Sequence, residues 1–171
     1  SGAVAKKRTL SALKKVIADT ECDLIVFLGD LVHGPDFKEV EEPYEKYLRQ
    51  VLDLTRGKKF AMVFGNHDDE CDTTKDEILS IVNTYSNSIT NGRNYVCEMN
   101  NEVLLFIDSG SYYNGEESFY DIVPQSVIDW AIEQLKDKNK KAIMFQHIIV
   151  PNIIDCLDEY SHFMPFCVPG D

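Results

Sequence analysis

The chain has 171 residues, 44% of them hydrophobic, and carries 29 acidic against 17 basic side chains for a net charge of -12. This length and apolar content suffice for one ordinary core, so a single domain spanning residues 1–171 is expected. The acidic balance argues against nucleic acid or an anionic membrane as partner, since both need clustered Lys and Arg, but a small anionic substrate stays compatible if metal ions reverse the sign locally. No apolar stretch approaches the roughly 18 residues of a membrane span and no signal-peptide pattern is visible, so the chain reads as soluble with no membrane partner.

Taken in order, Val4, Leu10, Leu13, Val16 and Ile17 form an apolar stripe among Lys6, Lys7, Arg8, Lys14 and Lys15, which predicts an amphipathic helix with a solvated basic face. Leu24 to Leu28 is a short apolar run without alternation, the pattern of a strand covered on both faces, and it ends on Gly29-Asp30. The acidic, turn-prone segment Asp36 to Glu42 reads as a loop. Pro43 then opens a helix with the stripe Tyr44, Tyr47, Leu48, Val51 and Leu52, closed by Gly57. A second buried run, Phe60 to Phe64, delivers Gly65-Asn66-His67-Asp68-Asp69. Thr74 and Glu77 have the spacing of a capping box ahead of Ile78, Leu79, Ile81 and Val82.

Asn91-Gly92 before Tyr95 to Met99, and Asn100-Asn101 before Val103 to Ile107, predict a hairpin whose second run ends in Asp108-Ser109-Gly110-Ser111. Pro124 introduces a helix, with Val127, Ile128, Ala131, Ile132 and Leu135 expected in the core. Ala142 to Phe145 is the last buried run and ends on Gln146-His147, after which Pro151, Pro165 and Pro169 interrupt short apolar pieces. Helices alternating with strands predict an α/β fold, in which chemistry gathers beyond the carboxyl ends of the strands. No repeat, low-complexity stretch or linker divides the chain.

The cysteines, Cys22, Cys71, Cys97, Cys156 and Cys167, include no Cys-x-x-Cys pair, which argues against a zinc ribbon or a disulfide framework and favours mostly reduced structural thiols. A bridge between Cys156 and Cys167 is the alternative. The absence of an Asn-x-Ser/Thr sequon leans toward a cytoplasmic location.

A carboxylate, a carboxamide and an imidazole aimed from three strand ends suit a metal such as Mn, Fe or Zn. With Gly29-Asp30, Gly65-Asn66-His67-Asp68 and His147 in this order, the sequence resembles the calcineurin-like metallophosphoesterases over most of its length. Their pattern runs Asp-x-His, Gly-Asp-x-x-Asp or a variant, Gly-Asn-His-Asp/Glu, a lone His, then Gly-His-x-His. The resemblance implies an α/β/β/α sandwich of two mixed β-sheets and a pair of divalent or Fe, Mn or Zn ions. It implies that Asp30 bridges both ions, that Asn66 and His147 ligate one of them, that His67 faces the phosphate as a catalytic acid, and that Asp68 holds His67 in orientation. In such a site two cations neutralise the ester, lower the pKa of a bridging water that attacks in line, and clamp the transition state. An imidazolium then protonates the leaving oxygen.

Gly29-Asp30-Leu31-Val32-His33-Gly34 lacks the Asp-Arg-Gly ending of protein serine/threonine phosphatases, and His33 stands where ordinary purple acid phosphatases have a Tyr ligand. The Gly-Asn-His-Asp-Asp run and Asp108-Ser109-Gly110-Ser111-Tyr112 are similar to the purple-acid-phosphatase-like subgroup. No Asp-x-His precedes Asp30 and no Gly-His-x-His follows His147, so the sandwich is expected to be incomplete here and the metals under-coordinated. Ser1-Gly2 reads as a tag remnant, and the sequence as part of a longer protein; a truncated homologue is the alternative. His33 reads as a residue behind the ligands or in a loop, His162 as structural, and the acidic residues after Asp68 as a solvated loop. Tyr112 and Tyr113 either line the cleft or pack. The expected function is hydrolysis of phosphate monoesters on a small molecule or phosphoprotein. The alternatives are a phosphodiesterase or nucleotide hydrolase of the same fold and a catalytically inactive binding module.

Overall fold

The computed structural model describes residues 2–37, 43–71, 73–112, 122–136 and 139–149. Expectations that fall on Tyr113, Cys156, His162, Cys167 and the late prolines lie outside these residues. In chain order the elements are α1 (Gly2–Asp19), β1 (Ile25–Phe27), α2 (Tyr44–Leu52), β2 (Phe60–Met62), α3 (Lys75–Val82), β3 (Tyr95–Met99), β4 (Glu102–Phe106), α4 (Gln125–Leu135) and β5 (Lys141–Phe145), with 3-10 turns at Gly34–Phe37 and Asp53–Thr55. Every helix and strand foreseen among the described residues is present. No helix among them is long and apolar enough to cross a membrane.

The strands form two sheets, as expected for a sandwich: β1 and β2 pair in parallel, and β3, β4 and β5 lie side by side, antiparallel and then parallel. Residues alternate across a strand, so β2 and its extension present Phe60, Met62 and Phe64 to one side and Ala61 and Val63 to the other. The first set packs with Tyr44, Leu48, Val51 and Leu52 of α2 and Ile78 and Val82 of α3. The second packs with Tyr95, Leu104 and Phe106 of the other sheet. This is why the run from Phe60 to Phe64 lacks a polar face. Neither edge of β2 is open: Asn87 O accepts from Phe60 N–H at 3.0 Å, and Ile89 N–H donates to Phe60 O at 2.8 Å.

Tyr95 joins the two sheets. Its hydroxyl donates to Met62 O at 2.8 Å and lies 3.1 Å from Met62 N–H, which donates back. The ring stacks on its register partner Phe106 at 4.4 Å between centroids, and Phe106 stacks on Phe145 at 5.0 Å, giving an aromatic row across all strands of the second sheet. Asn100 and Asn101, both at positive φ (50° and 67°), make the tight turn between β3 and β4.

Two expectations require correction. Helix α4 forms but none of its residues is buried, and Ile132 is 61% exposed. Likewise β5 is not covered on both faces; Lys141, Ala142 and Met144 are exposed. Periodicity marks the face a segment can bury, whereas burial needs an opposing layer, and among the described residues β5 is an edge strand of its sheet.

The capping box at the start of α3 is complete, with Thr74 Oγ1 accepting from Glu77 N–H and Glu77 accepting from Thr74 N–H at 2.8 Å. The backbone N–H and the hydroxyl of Thr74, both donating to the Glu77 carboxylate, hold it below its ordinary pKa. A carboxylate depressed in the folded state contributes stability above its unfolded pKa and loses it as pH falls through the folded value. Urea unfolding should show Thr74→Ala costing about 1 kcal/mol at neutral pH, with the penalty of Glu77→Gln fading in acid. Phe64→Ala, which opens a cavity between α2, α3 and β2, should cost about 3–5 kcal/mol.

Candidate active site

β1 and β2 run parallel, as do β4 and β5, so each pair shares a carboxyl end, and the contacts of His147 with Leu28 O and of Gly110 with Gly65 bring the two ends to one rim. Close approach of their loops depends on missing side chains. Gly29 takes φ 92°, and a Cβ there would fall 2.5 Å from Gly65 N. A Cβ on Gly110 would fall 2.3 Å from the Gly65 carbonyl carbon, so the β4 loop lies directly against the β2 loop. Asp30 follows Gly29 in the left-handed region too, at φ 51°, which turns its side chain back over the rim.

Asp30, Asn66 and His147 come together there. Asp30 Oδ1 accepts from His67 N–H at 3.0 Å, and its Oδ2 lies 3.1 Å from His147 Nε2. Asn66 Oδ1 lies 3.1 Å from the same Nε2. His147 Nδ1 sits 2.7 Å from Leu28 O, an acceptor only, so Nδ1 carries a proton and Nε2 is the nitrogen turned toward Asp30 and Asn66.

These separations fit a cation. Metal bonds of about 2.1 Å at right angles place neighbouring donors about 3.0 Å apart, close to the 3.1 Å found from Nε2 to each oxygen. A carboxylate oxygen, an amide oxygen and an imidazole nitrogen suit a hard or borderline divalent ion. Among the described residues no group of three His, Cys, Asp or Glu is placed to hold a metal, and the third donor of this set is an amide.

Asp68 differs from expectation. Its carboxylate does not reach His67; Oδ2 accepts from Asp30 N–H at 3.0 Å and Gly65 N–H at 2.7 Å, and Oδ1 from Tyr44 Oη–H at 3.3 Å. Burial pushes its carboxyl above the usual range, opposed by the bonds from Gly65 and Asp30. The Tyr44 phenol is pushed well up, by burial first and then by the Asp68 charge. His67 is instead held by Glu70, whose Oε2 lies 2.7 Å from Nδ1. The expected solvated loop therefore supplies a site residue, and its signal in the sequence is the spacing of a turn, His67-x-x-Glu70. The ring of His33 lies 4.7 Å from that of His67, with its Nδ1 3.3 Å from Asp36 Oδ1.

The β4 loop braces these groups. Ser109 Oγ accepts from His147 N–H at 3.2 Å and Ile148 N–H at 2.9 Å. Tyr112 Oη accepts from Asn66 Nδ2 at 2.5 Å. Lys75, only 2% exposed, reaches up from the first turn of α3 to Asp108 Oδ1 at 3.0 Å and Gly110 O at 2.7 Å. The sequence offered no sign of Lys75, since a charged residue at a helix start reads as solvated. Cys22, Cys71 and Cys97 are free thiols, and burial raises the pKa of Cys97.

A model of the calcineurin-like phosphoesterase family matches residues 5–168. Among curated proteins, the chain is 27% identical over 179 aligned residues to phosphatase DCR2 of Saccharomyces cerevisiae, covering 88% of this chain and 30% of that protein. It is 19% identical over 157 residues to an uncharacterized protein of Schizosaccharomyces pombe, covering 86% of this chain and 30% of that one. The chain thus spans less than a third of the length of either relative. No solved structure matches it.

Removing one partner of the buried Lys75–Asp108 pair should be far costlier than neutralising both. Lys75→Met strands the Asp108 carboxylate and should lower stability by about 3–5 kcal/mol, while adding Asp108→Asn to it should recover part of that loss. Chemical denaturation of the two variants beside the parent measures the difference.

Proposed function

Because the chain belongs to the calcineurin-like phosphoesterase family, we propose that it is the catalytic part of a metal-dependent phosphatase acting on phosphate monoesters, of the purple-acid-phosphatase-like subgroup. The convergence of Asp30 Oδ2, Asn66 Oδ1 and His147 Nε2 from three strand ends carries this reading. These three residues would hold a divalent cation, with Asp30 as the ligand shared with a second one. Bound cations supply charge that neutralises the phosphate and a water acidic enough to attack phosphorus.

The remaining steps belong to the chain's own groups. His67 is placed beside the ligands by Asp30, which holds its backbone N–H. Glu70 occupies Nδ1 and leaves Nε2 to face the ester. A proton on Nε2 passes to the leaving oxygen as the ester bond breaks, and Glu70 steadies the imidazolium until then. Asp68 acts beneath, by fixing the loops that carry Asp30 and Asn66. The substrate proposed is a phosphorylated small molecule or phosphoprotein; the name of the yeast relative, a phosphatase, supports the monoester over the diester. Residues 1–171 are read as one domain of this kind.

The test separates metal holding from proton donation. His67→Ala should leave metal content near that of the parent and slow hydrolysis of alkyl phosphates by about 10²–10⁴-fold, with a smaller loss for nitrophenyl phosphate, whose leaving group needs less protonation. Asp30→Asn should lose metal and turnover together. Metal analysis and kinetics on both esters decide: equal losses on the two esters with metal loss in His67→Ala would overturn the role of His67. Binding of phosphate esters without turnover by the metal-loaded parent would favour a binding module.

A further inference from the structure

We propose that Gly34 is a positioning residue for His67: its N–H and its missing side chain let the loop after β1 seat the His67 backbone, while His33 beside it covers the imidazole. The inference rests on the reading of His67 as the proton donor, and it gives a task to two residues which that reading leaves out.

A general acid acts only within hydrogen-bond reach of the oxygen it protonates, so what holds its backbone matters as much as what holds its ring. Glu70 orients the ring, with Oε2 2.7 Å from Nδ1, but it lies three residues on in the same loop. That bond fixes the imidazole relative to its own loop and leaves the loop itself to be placed.

The segment after β1 does the placing, from both sides of residue 67. Asp30 Oδ1 accepts from His67 N–H at 3.0 Å, and Gly34 N–H donates to His67 O at 2.9 Å. Asp30 is also a proposed cation ligand, so its carboxylate has a second duty. The Gly34 bond runs from peptide to peptide and involves no atom of the cation site, so it holds His67 in one place whether or not a cation is bound.

Only glycine permits this contact. Gly34 is buried, and a Cβ there would fall 2.2 Å from His67 O and 3.2 Å from Glu70 N. Both obstacles are backbone atoms of the loop that carries the acid and its partner, so no side chain can turn aside to make room. The turn from His67 to Glu70 would have to back away by about 1 Å to reach ordinary van der Waals separation.

His33 completes the seat. Its ring centroid lies 4.7 Å from that of His67, with the two planes at 58°. Asp36 braces it, donating its N–H to His33 O at 3.1 Å and placing Oδ1 3.3 Å from His33 Nδ1. The His33 side chain is 50% exposed, so the ring is not there to fill a core. It stands where it limits the swing of the His67 imidazole about its bond to Glu70.

Kinetics on two esters, read beside a resonance measurement that needs no turnover, test this in the full chain. Gly34→Ala should keep metal content near that of the parent and slow hydrolysis of alkyl phosphates by about 10²-fold, the usual effect of a misplacement of about 1 Å. The loss on nitrophenyl phosphate should be smaller. In a His67→Ala background the same substitution should change turnover by no more than about twofold, since no acid is left to place. His33→Ala should slow the alkyl ester about 2–10-fold, the worth of one ring contact, and His33→Phe should restore the rate by returning a ring. In the metal-free chain the His67 ring-proton resonances should move in both Gly34→Ala and His33→Ala, while those of His147 stay. If Gly34→Ala does not fold, the His33 variants and their resonances decide. Unmoved His67 resonances would overturn the inference, as would metal loss in Gly34→Ala or a His33→Phe variant as slow as His33→Ala. Equal losses from Gly34→Ala with and without His67 would overturn it and leave the acid reading standing. Unchanged turnover of both esters in His67→Ala would overturn the acid reading itself and this inference with it.

Discussion

One buried carboxylate sets the geometry of the rim. Asp68 is fully buried, yet Oδ2 takes N–H groups from both Asp30 and Gly65, one from each strand end of the first sheet. The backbone of Gly29 and Asp30 runs in left-handed conformation beyond the end of β1, and the half-buried Asp30 N–H finds its acceptor in Asp68. Burying a carboxylate costs several kcal/mol unless hydrogen bonds satisfy its oxygens. Here two backbone donors and the Tyr44 hydroxyl do so, and the hydroxyl also ties the rim to α2. The desolvation that lifts the pKa of Asp68 is the cost of placing an acceptor where two loops need one.

The second sheet completes what the first cannot. Asp30 and Asn66 come from β1 and β2, His147 from β5, so their spacing depends on how the two sheets are seated on one another. Tyr95 fixes that seating by donating to and accepting from the same residue, Met62, two positions before Phe64. Ser109 then takes the N–H groups of His147 and Ile148 and fixes the end of β5 against β4. In a chain of net charge -12, the rim also needs a cation inside it, and Lys75 provides one, buried against Asp108 with its ammonium 5.8 Å from the centre of the Phe64 ring.

What the sequence made legible follows from which signals are local. The unalternating run from Phe60 to Phe64 announced a strand buried on both sides, and the Thr74-Glu77 spacing announced a helix start, because both patterns arise from residues within one element. The meeting of Asp30, Asn66 and His147 was legible for a related reason: each directly follows a strand, and parallel strands share a rim. The partner of His67 was not. Asp68 is adjacent to it and Glu70 is three residues on, and only the fold of the loop decides which carboxylate returns to the imidazole. Lys75 was invisible because burial of an ammonium depends on a carboxylate 33 residues away. The exposure of α4 was equally out of reach, since an amphipathic stripe does not name the surface it will meet.

Three consecutive residues at the end of β2 face three different ways. Asn66 turns to His147 and Tyr112, His67 to Glu70 and the ring of His33, and Asp68 inward to Tyr44 and the end of β1. A regular strand would send 66 and 68 to the same face; the chain has left the ladder by then, and the turn spreads three side chains instead of two directions. The proposed ligand, the proposed proton donor and the structural clamp are therefore neighbours in sequence whose side chains take different partners. Each can be lost without directly removing a partner of the other two; Asp30 couples two of them, its carboxylate holding the His67 backbone while its own backbone hangs from Asp68, and Gly65, whose N–H also hangs from Asp68, leads into Asn66. A change at Asp68 would therefore reach His67 through Asp30 and Asn66 through Gly65.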